Sequence, residues 1–262
     1  MGRIAYYIKI WVMMSKNAFM IWFTQTKLLV LFLTGKILRF VFFITFLIFL
    51  LKGADKLAGY NANQAIFFFL TFNVIDVLSQ FLFREVYRFR QQIVSGNFDL
   101  TLTKPMSALF KSLMGGVDVI DLVTIPPLFV AVFYVGSMLN PTILHSVFYI
   151  LLLINGLILA AAFHITVLSF GIITLEIDHT IMIYRDLTNL GKLPIDIYKE
   201  PLKGILTYFV PIGIMITLPA KALMGLVSLP GVLWLLGFGA VALFLSIKFW
   251  NFALTKYSSA SS

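Results

Sequence analysis

Residues 143–175 read ILHSVFYILLLINGLILAAAFHITVLSFGIITL and contain no Asp, Glu, Lys or Arg. A helix needs about 20 consecutive apolar residues to cross a bilayer, so this run predicts a spanning helix that tilts or extends past the membrane. The whole chain shares this character: of its 262 residues, 60% are hydrophobic and 12% are charged, and the mean hydropathy is +0.98. These values exclude a soluble globular enzyme and a disordered chain.

The other apolar runs complete the prediction of an all-α, polytopic membrane protein with six transmembrane helices. Four further spans are expected in clear apolar runs, at 37–51, 62–83, 113–135 and 232–252. The first of these four has an alternative start at Leu28. Pro126 and Pro127 are expected to kink or break the third, because proline removes a helical hydrogen bond and clashes with the preceding turn.

The segment 176–231 admits two positions for the sixth span. In the first topology a short span covers 179–194, and 195–229 forms re-entrant pieces on the outer side. In the second topology 176–203 is a cytoplasmic loop and the span covers 205–226. Hydropathy alone favours the second, because the stretch 179–194 contains several charged side chains.

The charges are distributed unevenly along the chain. The net charge is +9, from 20 basic and 11 acidic residues. Residues 1–36 carry basic and aromatic residues and no acid, which predicts an amphipathic helix in the membrane interface. The alternative is a frayed tail that precedes one long, tilted span at 28–51.

The same charges predict the orientation. Of the 20 basic residues, 13 lie in the N-terminal segment through Arg39, in 84–111 and at the C-terminal end. The positive-inside rule then places these segments and both termini in the cytoplasm, with membrane lipids rather than nucleic acid as partner. The expected organisation is an interfacial helix at 1–36, a transmembrane domain at 37–252 and a flexible, Ser-rich tail at 253–262.

The stretch 84–111, called the elbow below, is the most informative polar segment. The second span is expected to continue as a helix through about Val94 and to stop at Gly96, because glycine adopts the left-handed conformation cheaply. Residues 98–102 form a short link, and Pro105 restarts a helix near its first turn. An ordered elbow of this kind can transmit force from a soluble partner. The alternative is a solvated loop.

The elbow also carries a motif. The pattern Ile93-x-Ser95-Gly96-x-Phe98-Asp99-x-x-Leu102-x-Lys104-Pro105 resembles the I-x-S-G-x-(L/F)-D-x-x-L-x-R-P stretch of ABC-2 type transporter permeases, in their bacterial six-span branch. Further matches, in the same order, are Gly59-Tyr60-Asn61, Pro194-Ile195-x-Ile197-Tyr198, Val210-Pro211, Leu218-Pro219-Ala220 and Gly225. The resemblance covers residues 39 to 250. Lys104 departs from it, because lysine keeps the charge of the usual arginine without its bidentate fork.

The resemblance implies a permease of an ABC-2, or type V, exporter in the bacterial cytoplasmic membrane. It implies a second permease copy or a paralogue as one partner, and two separate ATP-binding subunits as the others. The elbow would be the coupling helix, acting through Ile93, Ser95, Gly96, Phe98, Asp99, Leu102, Lys104 and Pro105. The family pattern also favours the first topology.

The expected energy source lies in another chain. The sequence has no G-x-x-x-x-G-K-[ST] phosphate loop. ATP and Mg²⁺ would therefore be bound by the partner ATPase, with no cofactor and no enzymatic site in this chain.

Polar side chains inside the spans are expensive in a bilayer and are candidates for function. Residues spaced three or four apart share one helix face, which groups the candidates into stripes. The candidate translocation pathway consists of Asn73, Asp76, Gln80, Asp118, Asp121, Arg185 and Asp186. The structural alternative is that the carboxylates pair with Arg39, Arg84 or Lys111, or cap broken backbone.

Two other functions stay open at this point. Asp118 and Asp121 could serve an intramembrane lipid-modifying enzyme, although the chain has no cysteine and its three histidines lie far apart in sequence. Asp76 could titrate in an ion-coupled secondary transporter, although no inverted repeat is visible. The mixed polar and aromatic spans do not select among peptides, lipids and amphiphilic drugs as substrate.

Overall fold

The computed structural model describes residues 2–24, 26–54, 56–175 and 177–258. This part of the chain contains helices and connecting turns and no strand, and the structure is 84% helical. The helices are α1 (Arg3–Thr24), α2 (Thr26–Ala54), α3 (Ala62–Phe83), α4 (Phe89–Val94), α5 (Asn97–Leu102), α6 (Ala108–Leu113), α7 (Val119–Ser137), α8 (Ile143–Thr174), α9 (Ile177–Asn189), α10 (Leu202–Phe209), α11 (Gly213–Leu223) and α12 (Leu229–Thr255).

The described part of the N-terminal segment consists of α1 and α2, and residue 25 between them lies outside the described residues. Helix α2 contains the predicted first span with either of its starts, at 28 or at 37. Lys36 is tolerated inside this apolar helix because its ammonium group forms an ion pair with Asp121 of α7. The placement of α1 in the membrane interface stays a prediction.

Helices α3 and α8 form the centre of the fold. The N-terminus of α3 is capped reciprocally: the Asn61 side chain accepts from the Gln64 amide over 3.0 Å, and the Gln64 side chain accepts from the Asn61 amide over 2.9 Å. Beside α8 runs α12, and the Asn155 amide donates to the Leu235 carbonyl over 3.0 Å. This hydrogen bond satisfies a buried polar side chain that would otherwise weaken the apolar core.

Helix α7 corresponds to the predicted third apolar span, with a later start and with both prolines inside it. The helix begins at Val119, not at 113, because the side chain of Asp118 accepts from the Ile120 amide and caps its N-terminus. Pro126 and Pro127 lie inside the helix, which continues to Ser137 without a break. Prolines are tolerated in membrane helices where neighbouring groups satisfy the freed backbone.

Within the described residues, five helices are long and apolar enough to cross a membrane: α2, α3 with its continuation through Val94, α7, α8 and α12. The path of the chain after α8 is defined by contacts of residues 178 and 196 with the two ends of α3. Asp178 forms an ion pair with Arg90, beyond the elbow end of α3, at 3.5 Å. Asp196 accepts from the hydroxyl of Tyr60, just before the other end of α3, over 2.9 Å. Between these residues the chain, with α9 and the turns that follow it, therefore runs along α3 from one end to the other, as the first topology expects.

The pair α10 and α11 is a re-entrant hairpin rather than a crossing. The chain bends by 74° between its two arms. Lys203 at the start of the pair and Lys221 near its end both bind the carboxylate of Asp196, at 3.0 Å and 2.6 Å. Because both ends meet one side chain, the pair enters and leaves on the same face. This is the first of the two topologies.

The hairpin packs tightly against the centre of the fold. At Gly156 of α8, an added Cβ would lie 2.5 Å from the carbonyl oxygen of Met215 in α11. Only glycine allows this close approach, because any larger residue would displace the backbone of the hairpin. Ion pairs therefore fix the two ends of the hairpin, and close backbone packing against α8 fixes the part near its bend.

The last helix extends past 252, the predicted end of the last span. Helix α12 continues to Thr255, and Tyr257 contacts the elbow. The last residues of the predicted tail, 259–262, lie outside the described residues.

Candidate functional sites: the elbow and the charged groove

The elbow consists of short helices joined by sharp turns. A 3₁₀ turn at Arg84–Arg88 connects α3 to α4, which ends at Val94 and is followed by Ser95. Gly96 then adopts a φ of +72°, the left-handed conformation expected of it, and α5 follows directly. Residues 98–102 are therefore helical, where the sequence predicted a link. The next helix, α6, begins after Pro105 because the Ser107 side chain caps it by accepting from the Phe110 amide.

Two of the predicted coupling residues hold the elbow together from inside. Ile93 and Phe98 are buried. The ring of Phe98 lies edge-on to Phe89 at 5.0 Å and to Tyr257 at 5.1 Å, and it also contacts Trp250 of α12. Burying a side chain of this size stabilises the local structure by roughly 1.5–3 kcal/mol. The elbow is consequently packed against the last helix of the fold.

A polar contact reinforces this packing. The Tyr257 hydroxyl donates to Oδ1 of Asp99 over 2.8 Å. Partial burial and the hydrogen bond to the carboxylate raise the pKa of Tyr257 to about 12, so the phenol is protonated and able to donate at neutral pH. The sequence pattern gave no signal for this contact, because Tyr257 falls in the segment predicted to be flexible.

The N-terminal helix braces the opposite side of the elbow. The hydroxyl of Tyr6 donates to the Pro105 carbonyl over 3.3 Å, and the Ser107 amide donates to the hydroxyl of Tyr7 over 3.1 Å. Within the elbow, Lys111 donates to the hydroxyl of Thr101 over 2.8 Å. Burial and the nearby charge of Lys104 lower the pKa of Lys111. The elbow is thus held between α1 and α12.

The elbow has an exposed apolar patch. Val94 and Leu100 are each 61% exposed, and Leu102 is 41% exposed. Ser95, Lys104 and Pro105 are also exposed beside them. The family motif does not contain Val94 or Leu100, and the sequence alone does not distinguish them from core residues. An exposed apolar patch on a braced element is typical of a protein–protein contact.

The intramembrane candidates form ion pairs along one groove between α2, α3 and α7, called the charged groove. Asp76 pairs with Arg39 at 3.8 Å, and Asp118 pairs with Arg84 at 3.3 Å. Arg39 and Arg84 are two of the three basic partners that the structural alternative named for the carboxylates. The third acid, Asp121, pairs with Lys36, a partner that sequence spacing did not predict.

Five of the seven candidate pathway residues come together at this groove. Gln80, Asp118 and Asp121 line a cavity of about 340 Å³ with Lys36 and Arg39. A neighbouring cavity of about 350 Å³ shares Lys36 and Arg39 and includes Asn73, whose side chain also donates to the Phe69 carbonyl. Asp76 is not among the lining residues of either cavity, but it pairs with Arg39, which lines both.

The last two candidates lie elsewhere. Arg185 and Asp186 are exposed on α9, and the Arg185 guanidinium lies 5.9 Å from the ring centre of Tyr87. In their place the structure brings Lys192 to the charged groove. Among the described residues, no three His, Asp or Glu side chains are placed to share a metal ion.

A bundle of apolar crossing helices with a braced apolar elbow is typical of a membrane transport subunit. A family model described as ABC-2 family transporter protein matches residues 36–261. The chain belongs to the ABC-2 transporter family and is the permease component of an ABC transporter. No curated protein and no solved structure matches the chain significantly.

Proposed function

We propose that the chain is the membrane-spanning subunit of an exporter driven by two separate ATP-binding subunits that dock on the elbow. The observation that carries this proposal is the exposed apolar face of Val94, Leu100 and Leu102, held between α1 and α12. A docking element must be rigidly joined to the helices it moves, and the elbow is joined to several.

The proposed mechanism follows from these joints. When ATP closes the partner subunits, the elbow is displaced with them. Phe98 and Tyr257 carry this displacement to α12, and Tyr6 and Tyr7 carry it to α1. The helices around the charged groove then change from an inward-facing to an outward-facing arrangement. The ATP and Mg²⁺ belong to the partner, and this chain performs no covalent chemistry.

The remaining parts of the assembly are proposed on the family resemblance and on charge. A second permease copy, or a paralogue, completes the assembly, and Asn73, Asp76, Gln80, Asp118 and Asp121 belong to the translocation pathway. The basic elbow and both termini lie on the cytoplasmic side of a bacterial cytoplasmic membrane, as the positive-inside rule requires. The hairpin α10–α11 then faces outward.

The contacts and the family count against the two other functions considered. The carboxylates of Asp118 and Asp121 are engaged by Arg84 and Lys36, which does not suit an acid–base pair in an enzyme. A secondary transporter would transport its substrate without an ATPase. Membership in the ABC-2 family supports an ATP-driven machine instead.

The proposal is tested by co-expressing the chain with the ABC ATPases of its source genome. Leu100→Asp is expected to reduce co-purification and permease-dependent ATP hydrolysis roughly tenfold or more, because a central apolar contact contributes about 2 kcal/mol to an interface. Leu226→Asp is the matched control, since Leu226 is a similarly exposed leucine on the hairpin side. Equal ATPase association in both variants would overturn the proposal.

A further inference from the structure

We propose that the cavity between α2, α3 and α7 binds an anionic amphiphile, a molecule with one acidic group and an apolar chain. The cavity has a volume of about 350 Å³, which suits a small-molecule site. It lies on the face that the proposed function assigns to the pathway, so the inference deepens that function by naming a ligand class.

The acidic group is indicated by the cations of the lining. Lys36, Arg39 and Lys192 line the cavity, and no carboxylate is among the described residues that line it. Asp121 pairs with Lys36 and Asp76 pairs with Arg39, but neither of these carboxylates lines the cavity. The lining is therefore cationic where a ligand would contact it, and charge-assisted hydrogen bonds to such cations are strong.

Lys192 is the cation with the most capacity for a ligand. In the described part of the chain no carboxylate oxygen lies within 4.0 Å of its ammonium group, which is 5.9 Å from the ring centre of Phe72. Arg39 lines the same cavity, and both Arg39 and its partner Asp76 lie close enough to interact with Lys192 electrostatically. An anionic group between Lys192 and Arg39 would relieve the repulsion between the two cations.

The apolar chain is indicated by four phenylalanines. Phe43 stacks on Phe69 with ring centres 4.2 Å apart, and Phe40 lies 5.5 Å from Phe69. Phe72 completes the group. Along α2 the two cations come before Phe40 and Phe43, at the elbow end of the helix. A ligand would therefore place its acidic group toward the elbow and its chain deeper in the membrane.

A lipid-like ligand can also reach the site. Helix α2 covers the cavity but buries little of its own surface, with Phe42, Phe46 and Phe49 among its exposed side chains. A molecule dissolved in the bilayer can therefore enter beside α2 without crossing water. This access favours an amphiphile over a water-soluble anion.

The test uses the purified full-length chain in phosphatidylcholine nanodiscs, without any ATPase. The probes are a palmitic acid that carries a photoreactive diazirine in its chain, and the methyl ester of that acid. Mass spectrometry locates the crosslinks. The acid is expected to label peptides containing Phe40, Phe43, Phe69 or Phe72 about tenfold more than the ester. Equal labelling by the two probes would overturn the proposal.

Lys192→Gln is expected to reduce labelling by the acid about tenfold and to leave labelling by the ester unchanged. Lys248→Gln is the matched control, because Lys248 is a lysine on a crossing helix whose ammonium group lies 5.5 Å from the ring centre of Phe244. Unchanged acid labelling in Lys192→Gln would contradict the site.

A competition series decides the question if Lys192→Gln fails to fold. Dodecyl phosphate is expected to displace the acid probe from the wild-type chain, and uncharged dodecyl maltoside is expected not to do so; displacement by both would contradict the acidic-group claim. Competition by phosphatidylglycerol would identify a membrane lipid as the source of the acidic group. No competition by phosphatidylglycerol would identify a single-chain amphiphile as that source. Either result supports the site. A negative result leaves ATPase docking intact, because binding is measured without the ATPase.

Discussion

The hydroxyl of Tyr257 donates a hydrogen bond to Oδ1 of Asp99 over 2.8 Å, although the two residues lie 158 positions apart in sequence. Asp99 belongs to the elbow, and Tyr257 follows the last crossing helix. The contact lies beside the buried ring of Phe98, which packs on Trp250 of the same helix. An element that docks a soluble partner is thereby attached directly to a helix that crosses the membrane.

Replacing Tyr257 by Phe tests this attachment. The substitution keeps the ring and removes a hydrogen bond to a carboxylate, which contributes about 1 kcal/mol when half-exposed. Hydrogen exchange of the α5 amides, 97–102, is therefore expected to accelerate about fivefold. Tyr208→Phe is the control, because Tyr208 is an exposed tyrosine of the hairpin that contacts Trp234. Unaltered exchange in Tyr257→Phe would mean that the phenol does not hold the elbow.

The same contact predicts a pH dependence. Burial and the bond to Asp99 raise the pKa of Tyr257 from its ordinary value near 10 to about 12. A raised pKa means that the folded state favours the protonated phenol. Its stabilisation is complete below about pH 10 and is lost as the pH rises toward 12. The exchange difference between wild type and Tyr257→Phe should therefore be constant from about pH 6 to 9, and a difference that vanishes within this range would contradict it.

The pair Lys36–Asp121 predicts a stability effect that separates a structural role from a transport role. Asp121 is buried, and removing one partner of a buried ion pair costs roughly 3–5 kcal/mol. Asp121→Asn is expected to lower the free energy of unfolding in detergent by about this amount. The double change Lys36→Met with Asp121→Leu is expected to restore most of it, because no charge is left unpaired.

Asp186→Asn, at an exposed acid of α9, is the control for that measurement. If Asp121→Asn is as stable as wild type but loses transport, the carboxylate serves the pathway and not the fold. All three intramembrane acids of the groove form ion pairs, and this favours a loss of stability in Asp121→Asn.

The ion pairs of Asp196 are expected to stabilise the two ends of the re-entrant hairpin. Partial burial by itself would raise the pKa of this carboxylate, but the hydrogen bonds from Lys221 and Lys203 outweigh burial and hold it below its ordinary value. Asp196→Asn removes both ion pairs and is expected to lower the thermal stability by about 1–3 kcal/mol. Glu200→Gln is the control, because its side chain keeps an acceptor for the Gly204 amide. Equal melting of the two variants would contradict this role.

The topology predicts accessibility from opposite sides of the membrane. Because the chain has no cysteine, single cysteines at Lys199 and Lys104 report cleanly. A membrane-impermeant maleimide added to intact cells should label Lys199→Cys, while Lys104→Cys should be labelled only after permeabilisation. Labelling of both positions from one side would rule out the crossing by α9.

The sequence predicted the crossing helices well because each is a long apolar run, as 143–175 is, and hydropathy depends on composition alone. It predicted the left-handed turn at Gly96 for an equally local reason. The first topology could be chosen only through the family resemblance, because the charged residues of 179–194 lower the hydropathy of that stretch.

The candidate sites were predictable to the extent that they follow helix faces. Asn73, Asp76 and Gln80 share a stripe of α3, and the structure places them at one groove. The partners Lys36, Lys192 and Tyr257 come from distant parts of the chain, so no spacing rule identifies them. Only the three-dimensional packing around Phe98 shows that Val94 and Leu100 are exposed and do not belong to the core.

Docking of an ATPase on the elbow is the central claim, and site-specific crosslinking tests it most directly. A photoreactive amino acid at Leu100 should crosslink, in living cells, to a chain that mass spectrometry identifies as an ATPase with a phosphate-binding loop. The same amino acid at Lys199 should give no such product. An ATPase crosslink from Lys199, or none from Leu100 in cells that produce the ATPase, would contradict the account.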